Sequence, residues 1–361
     1  MNTIKNKLWR TALLAGMFFS TGMQASGNIT WVKYGWQAFR NSGDATSLAL
    51  GGALTAYSNS AASFLHNPAH IQVSQNRPFV YAHQNRFSGV VNSDLFSMKF
   101  KQDTPHPIGL TILHEGISNI FDTRSSLLDW GEDGTPGTGD SGEGNGILDE
   151  GERLDANKLK QFSQNQWAFN FNTGWTVGSM QLGLSTKGLV HFLGEHTGSG
   201  LGFDVGMTTD MFPKTKIGVT IYDILTSWVI WDNGTKEITP PSMALGVTRE
   251  VAFSSFPVGI AMMADILMYS EGKTPDDDIQ LANIGGIFRV GTEITINNQI
   301  AIRIGRNRKG NASAGIGIQW DQIEVNYAYQ ISPIDSGLGD NHYLSFSMNP
   351  KWLWETIVNN L

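Results

Sequence analysis

One acidic stretch holds most of the residues that could do chemistry. Residues 129–155 carry nine Asp and Glu against one base, Arg153, a net −8 in a chain whose total is −7. Within it, residues 141–152 (SGEGNGILDEGE) fit the twelve-position calcium loop of an EF-hand. Ser141, Glu143 and Asn145 take positions 1, 3 and 5. Gly146 falls where the chain must turn sharply, and Ile147 offers its carbonyl at position 7. Asp149 takes position 9, and Glu152 is the bidentate ligand at position 12. Ser141 is a weak first ligand, so the expected affinity is about 10⁻⁴–10⁻³ M. A solvated acidic loop without bound metal is the alternative reading. Calcium is the one cofactor the sequence suggests.

Other spacings with a chemical meaning do not survive their context. Residues 137–142 spell G-x-G-x-x-G, but no strand precedes them and neighbouring carboxylates would repel a pyrophosphate. Gly139-Asp140-Ser141-Gly142 matches the surroundings of a serine nucleophile, yet no histidine stands near it. His66 and His70 have metal-helix spacing, but Pro68 lies between them and no Glu follows the first His. With no P-loop and no G-x-S-x-G, the chain reads as a non-enzyme.

Composition narrows the class. Zero cysteines exclude a disulfide scaffold and a thiolate metal centre. The acidic balance excludes a basic nucleic-acid-binding domain. Charged residues are 16%, below the roughly 25% of soluble domains, beside 41 Gly and 11 Trp. Residues 1–26 read as a signal peptide for Sec export, with Lys5, Lys7 and Arg10 ahead of a short apolar stretch. No other stretch is long and apolar enough for a membrane helix.

Alternation with period two recurs instead. Ile323, Val325, Tyr327, Tyr329 and Ile331 alternate with Glu324, Asn326, Ala328 and Gln330. Ile300, Ile302 and Ile304 alternate with Ala301, Arg303 and Gly305, and Trp167, Phe169 and Phe171 with Ala168, Asn170 and Asn172. One face is apolar and the other is Gly, Ser, Asn and Ala. A sandwich in water would put charge on its second face, whereas a barrel in lipid has a polar interior. Fourteen such segments begin near residues 78, 93, 107, 165, 179, 197, 215, 241, 256, 283, 299, 311, 322 and 341. The expected fold is all-β: a transmembrane antiparallel β-barrel of about 14 strands, over residues 77–349, with an N-terminal helical hatch in the lumen. Residues 27–76 are small, Ala-rich and non-alternating, and supply that hatch, with the Asn67-Pro68 step ending its short helices. Arg289, Glu293, Arg303 and Glu324 fall on the polar phase of late strands, placed to pair across neighbouring strands and hold the hatch; the alternative is that each is merely solvated. Residues 350–361 (PKWLWETIVNNL) form a tail, read as an interfacial helix with Trp352 and Trp354 at the headgroups.

Residues 43–53 (GDATSLALGGA) and 61–69 (AASFLHNPA), the latter with the hatch motif Asn67, Pro68, Ala69, resemble the N-terminal signature of PorV/PorQ-like outer-membrane proteins, a branch of the FadL-like barrels. Residues 197–207, 228–245 and 338–348 add to the resemblance. It implies a 14-stranded barrel with a hatch in the outer membrane. It also implies a non-enzymatic accessory of type IX-like secretion or surface assembly, partnered by secretion components or exported cargo. The wider superfamily implies the alternative, a FadL-like transporter of small hydrophobic compounds. His66, the acidic insert and the C-terminal tail depart from the family pattern.

Overall fold

The computed structural model describes residues 29–31, 36–40, 43–253, 255–270, 277–308, 311–331 and 339–359. The expected signal peptide lies outside the described residues.

Each alternating segment is a strand, and the strands close on themselves. The wall comprises β1 (Phe79–Arg86), β2 (Val91–Phe100), β3 (Ile108–Asp122), β4 (Lys160–Val177), β5 (Met180–Leu193), β6 (His196–Phe212) and β7 (Thr215–Tyr222). It continues through β8 (Ser242–Ala252), β9 (Val258–Tyr269), β10 (Ile284–Ile296), β11 (Ile300–Arg308), β12 (Asn311–Trp320), β13 (Ile323–Gln330) and β14 (Asn341–Met348). Every wall strand pairs antiparallel with its sequence neighbours, and β14 returns to β1 with Phe79 opposite Met348. Closure leaves no free edge, which a bilayer requires because it offers no water to unpaired backbone groups.

Two strands run past their sequence boundaries. β3 continues to Asp122 and β4 starts at Lys160, joined across a bulge between Ile117 and Ile120. Apolar alternation fades there because the strands rise above the lipid. A hairpin, Ser227–Trp231 with Lys236–Thr239, extends the wall beside β6, and Ile29–Trp31 pairs parallel to its second strand.

The faces divide as the alternation requires. Val325 and Tyr327 are 45% and 41% exposed on the outside, while Asn326 is 2% exposed in the lumen. Ile302, Ile304, Ile316, Ile318, Phe169 and Phe171 also face outward. Trp167 and Trp175 lie eight residues apart on β4. At about 3.3 Å per residue and a tilt of about 40°, they stand roughly 20 Å apart along the membrane normal. Phe171 sits midway, so Phe171→Arg should cost about 2–4 kcal/mol in urea unfolding from lipid vesicles. Tolerance of Arg at Phe171 would mean that this face does not meet lipid.

The connections differ between the two ends. At one end they are residues 101–107, 178–179, 213–214, 253–257, 297–299 and 321–322; the opposite end carries the long ones, 123–159 above all. Short turns mark the periplasmic end of bacterial barrels.

The hatch fills the lumen with short pieces: Gln37–Arg40 and Ala45–Ala49 as α-helix, Ser63–Leu65 and Pro68–Gln72 as 3₁₀ turns. Asn67-Pro68 starts a turn and does not end one. The Asn67 side chain caps it by accepting from the Ala69 amide at 3.0 Å, and Pro68 occupies the first position, where its missing N–H costs nothing.

Candidate functional site: the plugged lumen

The small second face of the strands is the seat of the hatch. A side chain at Gly183 would strike the backbone of Pro68 and Ala69; one at Gly206 would strike Asn67 and Pro68, and one at Gly218 would strike Thr55. On the opposite wall, Gly291, Gly305 and Gly315 take the turn at Ala49 and Leu50. Gly51 adopts φ +63 with its Cα against the backbone of Arg306, so both conformation and space require glycine there. Backbone lies on backbone at van der Waals range, which a wall of larger residues would prevent.

Polar wall residues then satisfy the hatch backbone, as buried amides and carbonyls require. Asn67, fully buried, donates Nδ2 to the Thr55 carbonyl at 2.7 Å and to the Met207 carbonyl of β6 at 3.2 Å. The Asp265 carboxylate accepts from the Thr55 amide at 2.8 Å and from its hydroxyl at 2.7 Å. Lys99 donates to the carbonyls of His70 and Val73 at 2.7 and 2.8 Å. Gln84 donates to the Gly43 carbonyl at 2.7 Å, and Tyr222 to that of His66 at 2.6 Å. The Asn67-Pro68-Ala69 motif is thus the point where the hatch locks to β5, β6 and β7.

The structure brings three of the four late-strand charges together. Arg303 pairs with Glu293, lies 3.5 Å from Glu324 and donates to Asn326 at 2.7 Å. Glu293 accepts from Tyr57 at 2.6 Å and from Asn59 at 3.3 Å, both in the hatch. Arg77, where the hatch joins β1, reaches Glu324 at 2.9 Å. Arg289 stands apart from this group, with a long contact to the Gly52 carbonyl at 3.5 Å.

A second ionic group escaped the sequence reading. Lys187 of β5 lies 2.7 Å from Asp204 of β6 and 2.6 Å from Asp223 just beyond β7, all almost wholly buried. Its ammonium is 5.4 Å from the ring centroids of both Trp36 and Phe39, and Arg40 approaches Asp223 at 3.7 Å. This ionic group holds residues 36–40 against the wall. The signal was present, since Lys187 and Asp204 occupy the polar phase of their strands. Phase alone does not give their common height.

Between residues 36–40, the hatch and the wall lies a cavity of about 40 Å³, lined by Trp36, Phe39, Leu65, Tyr222 and Leu267 together with Lys187 and Arg289. That holds one or two waters; an aromatic ring needs a cavity nearer roughly 150 Å³.

Two buried hatch histidines should make docking of the hatch pH-sensitive. Burial, reinforced by the Arg289 guanidinium, lowers the pKa of His66 to about 4. Burial lowers that of His70 to about 3. His70 bonds the Leu54 carbonyl through Nε2 at 2.8 Å, and its buried Nδ1 meets no partner among the described residues, so a second proton has no acceptor. An undocked hatch would titrate near the ordinary 6.5. Docking is therefore fully stable above that pH and weakens as pH falls toward 4 and then 3. At pH 5 each histidine should cost about 2 kcal/mol. Planar-bilayer recordings should show opening events becoming more frequent between pH 7 and 5, and His70→Gln should blunt the rise. An unchanged record over that range contradicts the assignment.

The acidic loop has its own construction. Leu127–Leu128 pairs antiparallel with Arg153–Leu154 and closes its base. Asp129 accepts from the amides of Gly144 and Gly146, both at 2.7 Å. Glu143 accepts from the amides of Gly137 and Gly139. Asn145 accepts from the Ile147 amide and turns its Nδ2 toward Asp149. Glu152 accepts from the amides of Gly131 and Asp149 at 2.8 and 3.0 Å. Gly146 has φ +76, the turn its position required. The donors of Ser141, Glu143, Asn145, Ile147, Asp149 and Glu152 do not converge, and no group of three acidic or histidine side chains among the described residues is arranged for a metal. This conformation does not fit an EF-hand shell, because the carboxylates are already used on backbone amides. Calcium binding here is a proposal from spacing alone. Calorimetry in which wild type and Glu152→Ala titrate alike would remove it.

No protein-family model matches the chain, and no curated protein does either. Solved structures of the same fold exist. The toluene transporter TodX of Pseudomonas putida matches with a TM-score of 0.56 over 85% of this chain and 98% of its own, at 14% identity. The toluene transporter TbuX of Ralstonia pickettii gives 0.52 over 85% and 98%, at 10% identity. The monoaromatic hydrocarbon channel CymD gives 0.51 over 85% and 97%, at 11% identity. At these identities the likeness is one of fold, a closed antiparallel barrel of 14 strands.

Proposed function

We propose that the chain is a non-enzymatic outer-membrane transporter that admits small apolar compounds, of the monoaromatic class or near it, past a docked hatch. The hatch seated in the lumen carries this reading: its backbone lies on wall glycines and is bonded to polar side chains of the wall. The cavity beside Lys187, about 40 Å³, is too small for an aromatic ring as it stands. Passage needs a solute whose own contacts displace part of the plug. Residues 36–40 are the part to displace, because the segment beyond residue 43 is seated on wall glycines and its backbone is bonded to Gln84, Lys99, Tyr222 and Asp265. Lys187 is neutralised by Asp204 and Asp223, so an uncharged solute taking the place of residues 36–40 would meet mainly Leu65, Tyr222 and Leu267. The fold shared with toluene and monoaromatic hydrocarbon transporters supports the same solute class.

The PorV/PorQ resemblance of residues 43–53 and 61–69 implied a secretion accessory. The structures of like fold lend that refinement no support, and uptake takes its place as the leading reading. Deletion in the native host separates the two. Uptake predicts poorer use of an apolar aromatic carbon source with an unchanged set of exported proteins. A changed export profile with unimpaired growth would reverse the order.

A further inference from the structure

The chain does not stop at its last wall strand. Pro350–Asn359 forms a helix one residue beyond β14. Asn349 roots it, donating its amide to the Gln322 carbonyl at 3.2 Å and accepting from the Lys351 amide at 3.1 Å. Leu353, Trp354, Ile357 and Val358 have the spacing of one helical face. Trp354 is 69%, Val358 50% and Ile357 45% exposed. Glu355 and Thr356 take the other side, Lys351 flanks the apolar face beside Val358, and Trp352 is half-buried off that face, so only one of the two tail tryptophans is placed for a headgroup layer.

We propose that this helix lies along the periplasmic leaflet, its Leu353–Trp354–Ile357–Val358 face sunk to the boundary between headgroups and acyl chains. The root decides the height. The helix leaves the wall beside the turn 321–322, where Trp320 is 77% exposed and Ile323 pairs with Met348 on the lipid-facing phase. Its apolar face therefore continues a surface that already meets lipid. A second protein is the poorer occupant, because four side chains cover far less than the about 800 Å² per partner of a stable complex. Lys351 and Glu355 cancel in charge, so burial of apolar surface carries the association and anionic lipid is not required.

The cysteine-free chain makes the test direct. Single cysteines at Trp354, Glu355, Thr356 and Val358 are labelled with an environment-sensitive nitrobenzoxadiazole dye in the full-length protein. Each variant is kept only if its circular dichroism retains the wild-type strand signature, and Ile357→Cys replaces either apolar position that fails. In phosphatidylcholine vesicles, emission at 354 and 358 should shift to the blue and be quenched by nitroxide-labelled phosphatidylcholine. Labels at 355 and 356 should stay aqueous. The pattern should persist at high salt and without anionic lipid. Aqueous emission at all four positions overturns the proposal. A blue shift already present in detergent and growing with protein concentration overturns it in favour of a second copy. A shift that needs anionic lipid overturns the apolar mode of attachment.

Discussion

Replacing Lys187 with Met is expected to lower the stability of the plugged barrel by about 3–5 kcal/mol, because it leaves Asp204 and Asp223 buried without their cation. Arg40, 3.7 Å from Asp223, and Arg289, which lines the same cavity, would remain nearby. The loss should also release Trp36 and Phe39, whose rings face the same ammonium. Two readouts should move together: a lower denaturation midpoint in detergent and a higher frequency of opening in a planar bilayer. The double variant Lys187→Met, Asp204→Asn removes one charge of each sign and leaves Asp223 to Arg40. It should recover most of the midpoint. If the single variant melts like wild type, the ionic group is not a structural latch.

Gly183→Val carries the second large effect. Its side chain would occupy the space of the Pro68 carbonyl and the Ala69 amide, and neither can move without breaking the bonds of Asn67 to the Thr55 and Met207 carbonyls. Losing two or three buried hydrogen bonds and the seat beneath them should cost about 2–5 kcal/mol of docking. The wall itself should survive, since Gly183 pairs with Gly174 and Gly206 and Val suits a strand. The expected result is an intact barrel with a displaced hatch: unchanged strand signal, new protease cleavage in residues 43–76, and steady conductance. Gly188, whose added side chain would meet nothing within 4 Å, supplies the control. Equal behaviour of Gly183→Val and Gly188→Val would contradict the seating of the hatch on glycine.

The wall was legible because its physics is local. A two-residue period reports which face meets lipid, and Val325 against Asn326 or Ile302 against Arg303 needs no knowledge of the partner strand. The count of 14 followed. The seat of the hatch was not legible, because it depends on heights. Asn67 meets Met207 across 140 positions, and Thr55 meets Asp265 across 210. Alternation gives no register over such distances. The glycines on the second face were visible, and their composition suggested a polar interior; the structure gives them the further purpose of admitting backbone. Lys187, Asp204 and Asp223 were missed for the same reason. In the acidic insert the spacing is legible and the use of the side chains is not. Its spacing fits a metal loop, but Glu143, Asp149 and Glu152 have nearby amides and an asparagine amide to satisfy them, and sequence spacing cannot rank those partners against an ion.

The most direct measurement of the transport claim is uptake of a radiolabelled apolar aromatic probe by lipopolysaccharide-bearing cells that do or do not produce the protein, with a small labelled sugar followed in parallel. A passage opened by displacement of residues 36–40 predicts faster accumulation of the aromatic probe in producing cells and no change for the sugar. Trp36→Ala with Phe39→Ala should reduce that discrimination by letting the sugar in. Equal accumulation of the aromatic probe with and without the protein would contradict the account.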